Sequence, residues 1–291
     1  MAEYVITTEN AADLPESFVK ENEIGVLSLY YTIDGVTYGP GHEPQMSAED
    51  FYAKMRAGMM PKTQQVNPDQ AMETFRSYLK QGKDILHLAL TSAVSGSCNS
   101  AMMAARELKE EFPERTITVI DTLVGTLAQG MLVERAVRMK KAGKTLEQAA
   151  QWIRDAVPHT CLYATVDDLK HLYRGGRVSK TSAFLGSAIG IKPILKLNET
   201  GNLVPCAKVR GRKQSIQTLV KQMEEHIGSF LKENDTVYIS HGDCLEEANY
   251  LAQLIKERLG IAKTMISHIG PVIGSHAGPG AITLSFLGEN K

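Results

Sequence analysis

The chain has 291 residues, of which 43% are hydrophobic, and a formal net charge of -1 at pH 7. This length favours about two domains, and the composition is typical of a globular protein with enough apolar residues for real cores. A charge so near zero argues against general nucleic-acid binding. The four cysteines are scattered and form no C-x-x-C pair, so we expect reduced thiols.

The first residues run straight into a strand-like segment, without the basic and apolar regions of a signal peptide. No window holds 18 uninterrupted apolar residues, so we expect no transmembrane segment. These features favour a cytoplasmic protein, whose only membrane contact would be transient and at the surface.

The first half of the chain alternates strands with helices. Strands are predicted at 4–7, 24–31, 36–38, 85–90 and 116–120, and helices near 13–15, over 47–60, from 67 and 99, and over 124–141 and 146–157. The pair Asp34-Gly35 predicts a hairpin insertion near 28–45. Alternating strands and helices predict a domain over 1–157 with a parallel sheet between helices, an α/β/α arrangement.

The second half, from Pro158, mixes hairpins with helices. Strands are predicted at 161–166, 192–197, 203–209, 236–240, 262–268 and 281–286, and helices at 167–173, 214–231 and 246–259. This order predicts an α+β domain over 158–291 with a mixed or antiparallel sheet, and an α/β fold class for the whole chain.

The loop Thr91-Ser-Ala-Val-Ser-Gly-Ser97 lies between a predicted buried strand and a predicted helix. The positive end of a helix, together with these hydroxyls, favours binding of a small anion such as a carboxylate or a phosphate. The loop contains no lysine or arginine. The hydroxyls could equally well only cap the helix, and the segment alone leaves both interpretations open.

Other familiar signals are incomplete. Gly143-Lys-Thr145 lacks the earlier glycine of a phosphate-binding P-loop. His241 and Cys244 supply only two of the four ligands of a structural zinc site, so no metal is expected. Nine basic residues against Glu199 alone make 174–213 a locally basic stretch, which indicates a surface for a charged partner.

Several segments, in register over the whole chain, carry a resemblance to a known family. They are Asp13-Leu-Pro15, Lys62-Thr-Gln-Gln-Val-Asn-Pro68, the 91–97 loop, Leu169-Lys-His-Leu-Tyr-Arg-Gly-Gly-Arg177, Lys208-Val-Arg-Gly-Arg212 and Gly270-Pro-Val-Ile-Gly-Ser-His-Ala-Gly-Pro-Gly-Ala281. Together they resemble the DegV family of bacterial fatty-acid-binding proteins, the binding subunits of fatty acid kinase systems.

The resemblance implies a long-chain fatty acid, such as palmitate, stearate or oleate, in a buried tunnel, and no other cofactor. Thr63, Ser95 and His276 match the family's carboxylate-binding positions, and Gln64 and Gly96 belong to the same head-group region. The partner implied is a separate kinase subunit resembling dihydroxyacetone kinase, which would phosphorylate the carboxylate. The twelve methionines could help to line the tunnel.

The same resemblance assigns two arginines, Arg177 and Arg210, to docking of that kinase. Two departures from the family pattern stand out. Gln64 replaces the usual serine after Thr63, and Thr8-Glu9-Asn10 replaces the usual Asp-Ser after the first strand.

Two other functions stay open at this point. One is an enzyme acting on a small anionic substrate, with Ser95 as nucleophile and His276 as base, which requires a Ser–His contact. The other is a regulator that binds nucleic acid through the basic stretch, although no helix-turn-helix or aromatic stacking platform supports it.

Overall fold

The computed structural model describes residues 3–167, 169–178 and 190–291. Its first half contains seven strands: β1 (Tyr4–Glu9), β2 (Gly25–Leu27), β3 (Tyr30–Ile33), β4 (Val36–Tyr38), β5 (Lys62–Gln64), β6 (Asp84–Ala89) and β7 (Ile117–Asp121). Six α-helices accompany them: α1 (Glu16–Glu21), α2 (Ala48–Arg56), α3 (Pro68–Leu79), α4 (Ser97–Glu111), α5 (Thr126–Lys141) and α6 (Leu146–Ala156).

The described part of the second half contains six strands and four α-helices. The strands are β8 (Thr160–Thr165), β9 (Ile191–Leu197), β10 (Leu203–Arg210), β11 (Thr236–His241), β12 (Lys263–His268) and β13 (Ile282–Leu287). The helices are α7 (Lys170–Arg174), α8 (Arg212–His226), α9 (Leu245–Leu259) and α10 (Pro271–Ala277). Helix α10 was not among the predicted elements. A proline occupies its first turn, which is a signal for a helix start, but the segment is otherwise rich in glycine.

The first half forms a four-stranded parallel sheet in the order β2-β1-β6-β7. The helices of this half begin close to their predicted starts. A capping box starts α3, since the Asn67 side chain accepts the N–H of Gln70 and Gln70 bonds back to Asn67. The predicted parallel sheet is therefore confirmed.

The second half forms a six-stranded mixed sheet in the order β10-β9-β8-β13-β11-β12. Neighbouring strands are antiparallel except β11 and β12, which are parallel. This arrangement confirms the predicted mixed sheet and the α/β fold class.

The expected hairpin, β3 and β4, turns at Asp34 and Gly35, which have φ values of 53° and 76°. A third strand that the sequence did not reveal, β5, pairs with the other side of β3 and places Thr63 opposite Tyr31. The insertion is therefore a three-stranded sheet, whose last strand carries a candidate site residue.

Helix α5 packs between the two large sheets. It contacts β1 and β6 on one side and β11 and β13 on the other, and eleven of its residues are buried. One hydrophobic cluster accordingly includes residues from both halves, such as Leu86 and Leu195. The strands of the four-stranded sheet all precede residue 158, but a division into two domains at 157/158 stays a prediction.

Candidate functional site

A cavity of about 540 Å³ lies between the loops at the carboxyl edge of the four-stranded sheet and one face of the six-stranded sheet. The volume is within the range of small-molecule binding sites. Its position agrees with the general rule that ligands bind beyond the carboxyl ends of parallel strands.

One wall of this cavity is apolar because the strands of the six-stranded sheet present alternate side chains to it. Leu162, Ala164 and Val166 follow one another at intervals of two along and just beyond β8, and Leu195 and Leu197 do the same on β9. The described lining residues include no methionine, contrary to expectation. Leucines and Ala164 from paired strands form this wall instead, with Val166 just beyond β8.

The candidate polar residues line one end of the cavity, whereas Thr91, which also lines it, bonds to Gly201 in the turn after β9. Thr63 and Gln64 come from β5, Ser95 from the loop between β6 and α4, and His276 from the last turn of α10. Arg177 follows α7. Three candidates predicted for one head-group site, Thr63, Ser95 and His276, thus line one cavity with Gln64.

His276 contacts Thr63 directly, with 2.9 Å between the imidazole Nε2 and the hydroxyl Oγ1. Burial and the nearby positive charge of Arg177 lower the pKa of His276 to about 4. The imidazole is therefore neutral at pH 7 and forms a hydrogen bond with the hydroxyl of Thr63. A Cβ on Gly175 would lie 2.2 Å from Nδ1 of His276, so the glycine leaves the space that the ring occupies.

Ser95 belongs to a short chain of hydroxyls at the start of α4. Its Oγ lies 3.0 Å from Oγ of Ser97 and accepts the backbone N–H of Ser97 at 3.3 Å. Ser97 Oγ in turn accepts the N–H of Val66 at 3.1 Å. Ser95 therefore contributes to capping and lines the cavity, so the two interpretations of its hydroxyl are compatible.

A backbone N–H group at the start of α4 already has a hydrogen-bond partner within the protein. The N–H of Gly96 donates to Oε1 of Gln65 at 3.1 Å, and a Cβ at Gly96 would lie 2.4 Å from that oxygen. The glycine at position 96 therefore leaves room for the side chain of Gln65, another lining residue. The N–H of Gly96 is bonded to that side chain and is not open to a ligand. Sequence reasoning missed Gln65, although it lies within the quoted segment that follows Lys62.

The two predicted docking arginines lie in different environments. Arg177 is half-buried in the cavity lining, where its Nε donates to the carbonyl of Val94 at 3.2 Å and its Nη1 contacts the carbonyl of Gly175. Burial lowers the pKa of its guanidinium. Arg210 is exposed at the end of β10. A cation therefore borders the cavity, whereas the hydroxyl loop alone had suggested a site without one.

The Ser–His contact that the enzymatic alternative requires is missing from the contacts of the two described residues. His276 bonds to Thr63, and Ser95 bonds to Ser97.

The described part of the chain also lacks a group of three or more His, Cys, Asp or Glu residues placed to hold a metal. Within the same ranges, no helix is long and apolar enough to cross a membrane.

Residues of the segment Thr8-Glu9-Asn10, which departs from the family pattern, form hydrogen bonds with the backbone of residues that line the cavity. Asn10 makes two bonds of 2.9 Å to the backbone of Leu29, a lining residue. The carboxylate of Glu9 accepts the N–H of Leu90, another lining residue, at 2.9 Å. Outside that segment, Asp13 accepts the N–H of Gly270, immediately before α10. These residues position the wall, a role that the sequence did not reveal.

The fold and the site together define an α/β protein with an apolar cavity between its two large sheets and a group of polar residues at one end of that cavity. The family model for the DegV family matches residues 3–289, and the chain belongs to that family. A DegV domain-containing protein of Clostridium perfringens is 42% identical over 100% of this chain and 99% of its own length. One from Caldanaerobacter subterraneus is 35% identical, covering 98% and 99%.

Solved structures extend the comparison to ligands. A fatty-acid-binding DegV family protein of Streptococcus agalactiae is 28% identical, with a TM-score of 0.85 and full coverage of both chains. A stearic-acid-binding protein of Eubacterium ventriosum is 25% identical, with a TM-score of 0.88 and 98% coverage of each. A fatty-acid-binding DegV protein of Thermus thermophilus has a TM-score of 0.86 at 26% identity, covering 99% and 100%.

Proposed function

We propose that this protein binds a long-chain fatty acid, with the tail along the apolar sheet face and the carboxylate among Thr63, Ser95 and His276. The observation that carries the proposal is the polarity of the 540 Å³ cavity, which is apolar over β8 and β9 and has Thr63, Ser95 and His276 on its other side. The fatty-acid-binding relatives with the same fold support it.

The hydrogen bonds around the polar end suit a carboxylate. In the arrangement where neutral His276 donates from Nε2 to Thr63, the Thr63 hydroxyl proton is left to donate to a ligand. When Ser97 donates to Ser95, the Ser95 proton is likewise left for a ligand. A buried carboxylate needs such donors, because an unpaired charge is very costly to bury. The cation of Arg177 adds a favourable charge.

The tail supplies most of the affinity. About 15 methylenes at roughly 0.8 kcal/mol each give a gross favourable free energy near 12 kcal/mol, before the costs of association. Binding at this strength requires no catalytic group. The chain is therefore proposed to be a lipid-binding protein without catalytic activity of its own.

We further propose that it presents the carboxylate to a separate kinase resembling dihydroxyacetone kinase, which forms the acyl phosphate in the cytoplasm. The partial exposure of Thr63, Ser95 and His276 supports access to the head group from outside. Exposed Arg210 offers a positive charge to such a partner, with which it would offset charge that builds up during phosphoryl transfer. The free cysteines agree with a reducing compartment.

Mass spectrometry tests the first step. The protein purified from a bacterial host should carry a C14–C18 fatty acid, released on denaturation and seen as a mass increment in the native spectrum. Protein that stays ligand-free after incubation with palmitate, stearate and oleate would refute the proposal. Release of a small polar anion instead would favour the alternative of an anion-processing enzyme.

A further inference from the structure

Leucines from three neighbouring strands, together with Thr91, line the end of the cavity opposite the head group. Tyr163 pairs with Lys196, so Leu162 lies level with Leu197, and Leu197 pairs directly with Leu203 of β10. Leu162, Leu197 and Leu203 all line the cavity. They lie at the end of the strands away from α7 and α10, the helices next to Arg177 and His276.

The turn that joins β9 to β10 is fixed against the loops of the first half. The hydroxyl of Thr91 donates to the carbonyl of Gly201 at 3.2 Å. A Cβ on Gly201 would lie 2.2 Å from Thr91 Oγ1 and 3.2 Å from Cα of Leu123, so only glycine allows this approach. Within the turn, the Asn198 side chain accepts the N–H groups of Thr200 and Asn202 at 3.1 and 2.9 Å.

We propose that Leu203, carried by this fixed turn, is the floor of the acyl tunnel and sets the longest chain that the protein accepts. The inference rests on the proposed fatty-acid binding and deepens it. From Val166 to Leu162 the wall spans four residues of extended chain, about 13 Å. That length accommodates roughly ten of the about 15 methylenes of the proposed tail, in an extended chain with C–C bonds of about 1.5 Å, so the remaining methylenes would lie between Val166 and the head group. Leu203 itself is partly exposed.

A series of saturated fatty acids from C10 to C22 tests the floor by the dissociation constant of each acid. For the wild type, each added methylene that becomes buried should tighten binding about fourfold, until the tail reaches Leu203. Beyond that length affinity should fall. Leu203→Ala should move the optimum at least two carbons longer, and Leu203→Trp at least two carbons shorter.

Leu254→Ala is the matched control, because Leu254 is also partly buried but packs in a different cluster, on α9. Its optimum should equal that of the wild type. Melting temperatures identify any variant that fails to fold, and the two Leu203 substitutions act in opposite directions, so either alone decides the question. An optimum that stays at the wild-type length in a folded Leu203 variant would overturn the proposal while leaving fatty-acid binding in place. Failure of the wild type to bind any acid would instead remove the proposed function, and the floor with it.

Discussion

Replacing Thr63 by valine removes one hydroxyl and keeps a β-branched side chain suited to strand β5. The hydroxyl contacts Nε2 of His276 at 2.9 Å and lines the polar end of the cavity. A hydrogen bond to a charged group contributes about 1.5–3 kcal/mol, so we expect the dissociation constant for palmitate to rise about 10- to 150-fold. Isothermal titration or displacement of a fluorescent fatty acid measures this change.

Thr37→Val is the control for that experiment. Its hydroxyl pairs with that of Thr32 in the same small sheet, at 3.1 Å, but does not line the cavity. The loss in Thr63→Val should be the same for laurate and palmitate, because it concerns the carboxylate and not the tail. If Thr63→Val binds palmitate as tightly as Thr37→Val does, the head group does not lie at Thr63 and the reasoning is wrong.

Three further outcomes follow from the site. Ser95→Ala should weaken fatty-acid binding about tenfold and also lower the melting temperature, since Ser95 accepts the N–H of Ser97; a lower melting temperature with unchanged affinity would leave only the capping role. His276, whose pKa is about 4 when folded, binds its proton more readily unfolded, so the ligand-free protein should lose up to about 3 kcal/mol of stability as pH falls from 6.5 to 4. His276→Asn should flatten that decline in urea titrations across this pH window, and an unchanged slope would assign the loss to other groups. Arg210→Ala should leave fatty-acid affinity unchanged but slow acyl-phosphate formation by the partner kinase, and equal rates would show that this arginine has no docking role.

The sequence predicted the elements whose signals are local. The β-branched strand at Ile117–Asp121 and the start of α3 after Asn67 needed only their own residues. The strand β5 has three residues, alternates exposed and half-buried side chains, and exists because β3 pairs with it. Three residues are too few for a recognisable hydrophobic pattern in the sequence, so such a strand is fixed by its pairing partner.

The same distinction holds for the site. Thr63, Ser95 and His276 were found through motifs of the family they resemble, and Arg177 was found there too, but with an expected place at a docking surface. Its place at the cavity depends on the carbonyl of Val94, 83 residues away. The bond between Gln65 and Gly96 likewise joins two loops that local patterns treat separately. Distances between such loops follow from packing, which a single sequence does not state.

Binding in the cavity between the two sheets would affect the steady-state amount of this protein in a cell. A fatty-acid tail along β8 and β9, as proposed, would pack against the apolar wall and so become part of the hydrophobic core. Ligand at 100 times its dissociation constant adds about 2.7 kcal/mol to the free energy of unfolding. Proteases that cleave unfolded chains would then remove empty copies faster than loaded ones, and the steady amount of protein would follow the supply of fatty acid.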